Sequence, residues 1–183
     1  MCLLAALLAG CSTISGLDGT RGATMAGGMP VTPGQAADFT SFLANRSGET
    51  VVLSAARLLG VPGYRMPKLV GVLIQPGNSF LGAGSGWPPS DWSAREPKLQ
   101  AFRGFKLRPG QTAQLLIGVR ARELGDYAIR GVSVTVSAAT AFGGETRVSV
   151  PSLGYGAVCV VPTIARGATC SPIFTSQFPP PPA

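Results

Sequence analysis

The stretch Ala113-Gln-Leu-Leu-Ile-Gly-Val-Arg-Ala121 carries the clearest alternation of apolar and polar side chains in the 183-residue chain. One phase of the alternation holds only apolar residues: Ala113, Leu115, Ile117, Val119 and Ala121. The other phase is polar or small, with Leu116 as the exception. Because successive side chains of a β-strand point to opposite faces, this period predicts a strand with one face in a core.

Short apolar runs of similar length lie on both sides of this strand. Gly 25 and Pro 16 supply turns at close intervals, and no segment keeps a helical period. The pattern predicts an all-β domain of about eight short strands. Residues 39–44 and 51–59 flank the turn-forming sequence Asn45-Arg-Ser-Gly48 and are predicted to form a hairpin.

The valines after residue 130 are out of phase with the strand that precedes them. Tyr127 and Ile129 share one phase, whereas Val132, Val134 and Val136 share the other. A strand that keeps both sets in the core must gain one residue between them. Gly131 lies at that point, so we expect a β-bulge there.

The sequence from Leu107 to Val119, followed by Gly125-Asp-Tyr127 and a valine-rich strand, resembles bacterial Ig-like and fibronectin-III-like surface modules. The resemblance spans residues 38–161. It implies a single Ig-like antiparallel β-sandwich of about 7–8 strands. It also implies that Tyr127 hydrogen-bonds back across a corner, although an ordinary half-buried strand tyrosine is the alternative.

An apolar segment opens the chain and ends in Leu8-Ala-Gly-Cys11. This layout is typical of an export signal, and the last four residues resemble the lipobox of bacterial lipoproteins. The resemblance implies cleavage before Cys11 and a diacylglycerol on its sulfur. No Lys or Arg precedes the apolar run, which departs from the family pattern and suggests that the true start lies upstream.

Cysteine counting then leaves one pair. Cys2 leaves with the signal and Cys11 carries lipid, so Cys159 and Cys170 are expected to form a disulfide in an exported domain. Two free thiols in a cytosolic protein are the alternative. A zinc site there would lack two further ligands.

Composition divides the chain into four parts. We expect a lipoprotein signal peptide at residues 1–10 and a lipid-anchored flexible linker at 11–37. The Ig-like β-sandwich follows at 38–172, and a Pro-rich tail at 173–183.

The residues offer little for catalysis. Histidine is absent, charged residues make up only 13%, and the eight acids are scattered. No Ser-x-x-Lys motif supplies a base for a serine nucleophile. The sequence therefore predicts that the protein is not an enzyme and holds no metal or cofactor, with an exported hydrolase kept as an alternative.

Two features remain as candidate partner-binding sites. The connection 78–97 contains Phe80, Trp87 and Trp92, and long loops are usually functional or disordered. Alternatively, its aromatic residues complete the core. The second feature is a basic stretch, 95–108, which is alternatively a solvated face. Its cations are Arg95, Lys98, Arg103, Lys106 and Arg108.

These features together predict a bacterial cell-envelope lipoprotein, anchored through Cys11 to the outer face of a membrane. Its sandwich would be a binding or structural module for another envelope protein or an anionic envelope polymer, not for nucleic acid. An accessory subunit of an envelope assembly or exported complex is the alternative, with sheet edges as the partner surface.

Overall fold

The computed structural model describes residues 16–19, 28–77, 84–88, 99–139, 145–165 and 170. Within these residues the secondary structure is entirely β, and no helix is long and apolar enough to cross a membrane. The strands are β1 (Leu17–Asp18), β2 (Gly28–Val31), β3 (Ala36–Asn45), β4 (Val51–Gly60), β5 (Lys68–Pro76), β6 (Gly84–Ser85), β7 (Gln100–Ala101), β8 (Lys106–Leu107), β9 (Thr112–Arg120), β10 (Gly125–Ala139) and β11 (Glu145–Val160).

Two sheets form the sandwich. The first sheet has the order β1-β3-β9-β5-β7, with β6 also paired to β3. The second has the order β2-β11-β10-β4-β8, in which β2 runs parallel to β11 and the other pairs are antiparallel. The central orders β3-β9-β5 and β11-β10-β4 match strands B-E-D and G-F-C of the Ig fold. The protein is an Ig-like β-sandwich.

The core lies between the two sheets. The apolar phase of β9 faces inward and meets the inward residues of β3, β5 and β10 in one cluster. Phe39 of the first sheet lies directly over Gly156 of the second, where a Cβ atom would be 2.6 Å from the Phe39 ring. The alternation in residues 113–121 therefore predicted which face of the central strand lies in the core. The opposite face is also buried, since Gln114 and Leu116 are 0% exposed.

The bulge expected at Gly131 is present. The register of β10 shifts between Ile129 and Gly131 against both neighbouring strands, and Gly131 has a φ of 130°. Ile129 and Val132 are both fully buried, although they fall in opposite phases. The extra residue thus keeps both halves of β10 facing the core.

The hairpin predicted from residues 39–44 and 51–59 does not form. β3 lies in the first sheet and β4 in the second, so the turn between them crosses the sandwich. The buried Asn45 side chain stabilises this crossing, because its Nδ2 donates to the carbonyls of Glu49 (2.7 Å) and Leu107 (2.8 Å). A turn sequence predicts a reversal, but it does not tell which sheet the chain enters next.

The sandwich begins before residue 38, inside the segment expected to be a flexible linker. Leu17–Asp18 pairs with β3, and Gly28–Val31 pairs with β11. Val31 is completely buried. The strand β2 is short and contains Pro30, so its sequence resembles that of a flexible spacer. An edge strand tolerates such a proline. The signal peptide 1–10, Cys11 and the tail 173–183 lie outside the described residues.

A disulfide joins Cys159 of β11 to Cys170, the pair that cysteine counting predicts, with Cα atoms 5.6 Å apart. Both cysteines pack with Ala128 and Ala157 in a small apolar cluster separate from the main core. The bond therefore holds Cys170 against the second sheet.

Candidate functional site: a basic pocket at the end of the sandwich

A pocket of about 530 Å³ opens where β9 ends and β5 begins. We call it the basic pocket. Its walls come from the segment before β5, the first residues of β5, the last residue of β9 and the turn that leads into β10. Four cations and one carboxylate line it, which gives a net charge of +3: Arg65, Lys68, Arg120, Arg122 and Glu123.

Sheet register brings two of these cations together. Lys68 and Arg120 are directly opposite each other in the antiparallel pair of β5 and β9. Side chains in such a pair have Cβ atoms about 4.5–5.5 Å apart, and like charges there are destabilising. Arg122 follows two residues after Arg120 in the same wall. The pocket thus brings positive charges together although like charges on paired strands destabilise a sheet.

Arg65 and Tyr127 form the other wall. Arg65 makes an ion pair with Glu123, and this hydrogen bond raises the pKa of the Arg65 guanidinium above its ordinary value. The guanidinium carbon also lies 5.0 Å from the centre of the Tyr127 ring, within cation–π distance. The charge of Arg65 is therefore already compensated.

Tyr127 connects the pocket to the fold. It is 5% exposed, and its hydroxyl donates to the carbonyl of Glu123 at 3.0 Å. This is the corner hydrogen bond that the resemblance to Ig-like modules implies for a tyrosine at the start of this strand. The bond holds the turn 123–126 and so fixes the position of the Glu123–Arg65 ion pair.

Lys68, Arg120 and Arg122 have no opposite charge beside them in the part of the chain that the structure describes. Among the described residues, no salt bridge involves Lys68, Arg120 or Arg122. The Nε of Arg120 is buried and has no hydrogen-bond partner among the described residues. A buried donor without a partner loses its hydration without replacement. These groups leave three positive charges available to a ligand.

The mouth of the basic pocket is partly apolar. Met66 is 54% exposed and Val70 is 36% exposed, and both line the pocket. Leu124, 55% exposed, lies on the adjoining turn, where its carbonyl accepts from Arg65. The site therefore offers positive charge beside apolar side chains that are accessible to solvent.

The chemistry of this pocket is suited to binding. Among the described lining residues, the one carboxylate is held by Arg65, and none is a serine, threonine or cysteine. A glycosidase-type cleft would need two carboxylates. The described residues also contain no group of three or more potential metal ligands.

Trp87, a residue predicted for partner binding, covers the outer face of the first sheet. It is half-buried, and its indole lies on Gly71 and Gly118, which are paired in β5 and β9. Neither position has a Cβ, so the ring can lie directly on the backbone. Phe80 and Trp92 lie outside the described residues.

The basic stretch 95–108 does not line the basic pocket. Lys106 is exposed and pairs with Val52 at the edge of the second sheet, and the nearby Arg103 donates to the carbonyl of Ser54 at 3.4 Å. Arg108 is exposed in the turn before β9. Arg95 and Lys98 lie outside the described residues. Trp87, on the outer face of the other sheet, is not part of this basic surface.

Sequence reasoning missed the basic pocket because its cations are far apart along the chain. Arg120 and Arg122 were visible as polar residues of the central strand, and Lys68 precedes another apolar run. Only the register of β5 against β9 shows that Lys68 and Arg120 are neighbours. The alternation of residues 113–121 shows on which face of the strand Arg120 lies. It does not show which strand pairs with that residue.

The fold and the site define an Ig-like sandwich with a cationic pocket at one end. No protein-family model matches the sequence, and a search of curated proteins found no match. Among solved structures, the chain is similar to a PapD-like domain of human CEP192, with 11% identity, 75% of this chain and 84% of that chain covered, and a TM-score of 0.34. It is also similar to the collagen-binding domain of the Erysipelothrix rhusiopathiae surface protein RspB, with 11% identity, 70% of this chain and 46% of that chain covered, and a TM-score of 0.24. The assignment of the fold rests on strand order and on Tyr127.

Proposed function

We propose that this chain is a non-catalytic binding module of the bacterial cell envelope, held to a membrane through Cys11. The observation that carries the binding role is the basic pocket, which presents three cations that form no ion pair within the described residues, beside exposed apolar side chains. The lipobox-like sequence ending at Cys11 and the disulfide between Cys159 and Cys170 support an extracytoplasmic location.

The experiment is crosslinking in intact cells, followed by capture of the protein from the membrane fraction. We expect a bound envelope component that is lost in the double variant Lys68→Gln/Arg122→Gln. The matched control, Arg57→Gln/Arg130→Gln, removes the same charge from exposed positions outside both the pocket and the basic stretch 95–108, and it should retain the component. Recovery in the cytoplasmic fraction, or equal loss in both variants, would contradict the proposal.

A second candidate function is an accessory subunit of an envelope assembly, and one observation favours it. β7 pairs with β5 only at Leu73 and Ile74. Within the described residues, the outer edge of Lys68–Val72 therefore has no strand partner. An exposed edge of this kind can accept a strand from another protein. In that case capture would yield a stoichiometric protein partner that both charge variants retain.

A further inference from the structure

We propose that the basic pocket binds the phosphate group of a water-soluble ligand. This inference names the ligand class of the site on which the proposed function depends. The choice of a phosphate group follows from the pocket alone, whereas the choice of a soluble ligand also rests on the proposed anchor at Cys11.

The first argument is charge. Lys68, Arg120 and Arg122 are uncompensated by described neighbours, while Arg65 is paired with Glu123. A carboxylate carries one negative charge, but a phosphate monoester carries about −1.5 to −2 at neutral pH and offers three acceptor oxygens. A phosphate therefore matches the three free cations better. Guanidinium groups also bind phosphate through two parallel hydrogen bonds.

The second argument is the repulsion between two cations that the register of β5 and β9 places opposite each other. Lys68 and Arg120 repel each other across the β5–β9 pair, and the Arg120 Nε is a buried donor without a partner among the described residues. An anion placed between the two side chains would remove the repulsion. It follows that ligand binding should also stabilise the folded protein.

The third argument concerns the rest of the ligand. A pocket of about 530 Å³ has room for more than an inorganic ion, since small-molecule pockets usually measure about 300–1,000 Å³. Met66 and Val70 give the pocket an apolar side, next to the cations. An organic phosphate whose carbon group contacts these side chains should bind more tightly than phosphate itself.

The position of the pocket favours a soluble ligand over a lipid headgroup. Leu17 pairs with Asn45 at one end of β3, whereas Ala36 at the other end lies opposite Arg120. Ten residues of extended chain separate these ends by about 30 Å. Cys11 precedes Leu17 by six residues, which span at most about 20 Å. A lipid on Cys11 would therefore lie within about 20 Å of the end of the first sheet that is remote from the pocket.

The test is calorimetric titration of the purified full chain with phenyl phosphate and with inorganic phosphate at constant ionic strength. We expect saturable binding of both, tighter for phenyl phosphate, and a higher unfolding temperature in its presence. Lys68→Gln and Arg122→Gln should each weaken binding about tenfold, because each removes a charge-assisted contact. The controls Arg57→Gln and Arg130→Gln, at exposed positions outside the pocket lining, should change affinity less than about twofold, because solvent and salt screen exposed charges that do not touch the ligand.

Glu123→Gln tests whether phosphate affinity rises when the pocket becomes more positive. It removes the only carboxylate of the pocket and releases Arg65, so phosphate should bind several-fold more tightly. The corner bond of Tyr127 uses the Glu123 backbone carbonyl and does not require the carboxylate. A variant that only disturbed the structure would weaken binding instead.

Three results would overturn the proposal: no saturable binding, equal losses in pocket and control variants, or pocket-dependent binding to phosphatidylglycerol vesicles without binding of either soluble phosphate. Recovery of the protein from the cytoplasm of the producing cell would contradict the proposed function. It would leave the titrations with soluble phosphates unchanged, so the two failures are distinguishable.

Discussion

Gly131 allows both halves of β10 to face the core. Its φ of 130° lies in a region that side chains with a Cβ rarely adopt. Gly131→Val should therefore lower the free energy of unfolding by about 1–3 kcal/mol, the usual range for forced backbone conformations. Urea denaturation midpoints measure the loss.

Ser133→Val is the matched control in the same strand. Ser133 is half-buried on the outer face, between Arg57 and Pro151 of the neighbouring strands, and valine favours a strand. We expect a change below about 0.5 kcal/mol. Equal midpoints, or a larger loss at Ser133, would mean that the bulge does not determine the faces of β10.

Gly118 leaves space for the Trp87 indole. A Cβ at Gly118 would lie 2.3 Å from the nearest atom of the Trp87 ring, so Gly118→Ala should displace Trp87 toward solvent and shift its fluorescence to longer wavelength. The measurement is made in a Trp92→Phe background, because the chain has two tryptophans. Gly48→Ala, with no atom within 4 Å of the new methyl group, should leave the emission unchanged. Unchanged emission in both variants would show that Trp87 does not lie on the sheet.

At the scale of structural elements, the disulfide fastens Cys170 to Cys159 of β11. Cys159 and Cys170 are 11 residues apart, and the closed loop should contribute about 3 kcal/mol through the lower entropy of the unfolded chain. We expect the variant Cys159→Ser/Cys170→Ser to lose about this amount in urea denaturation. A reducing agent should cause the same loss in the natural protein and none in the variant. If reduction destabilised both equally, the effect would have another source.

How far the sequence predicted these elements depends on how local each signal was. The alternation in 113–121 and the phase change around Gly131 are local patterns, and both identified the buried faces correctly. The hairpin prediction failed because Asn45 directs the chain through a contact with Leu107, 62 residues away. β2 is stabilised by pairing with β11, so a four-residue segment containing proline gave no signal of its own.

The candidate site was less predictable than the fold. Its charges come from three separate segments, and their meeting depends on the register of β5 with β9 and on the Tyr127 corner. A long loop with aromatic residues gave a stronger sequence signal. The part of it that the structure describes places Trp87 on the sheet. The sequence shows which charged side chains the chain contains, but the pairing of the strands determines which of them lie next to each other.

For the whole molecule, the decisive question is what lies at the end opposite the basic pocket. β1 starts there, six residues after Cys11, and the pocket occupies the other end of the first sheet. A lipid on Cys11 would place the membrane near β1 and leave the pocket open to ligands from the aqueous side. The order of anchor, sandwich and pocket thus links the proposed location to the proposed ligand.

The corresponding prediction separates two cysteines of the N-terminal segment. Cys11→Ala removes the sulfur that would carry the lipid, so the variant should lack the diacylglycerol and leave the detergent-extractable membrane fraction. Cys2→Ala changes a cysteine inside the expected signal peptide and should not affect membrane retention. Fractionation with mass spectrometry of the N-terminal peptide measures both. Membrane retention of Cys11→Ala would contradict the anchor, and with it the argument that the pocket faces away from the membrane. A lipid on Cys11 would therefore decide which surface of the sandwich can meet a soluble phosphate.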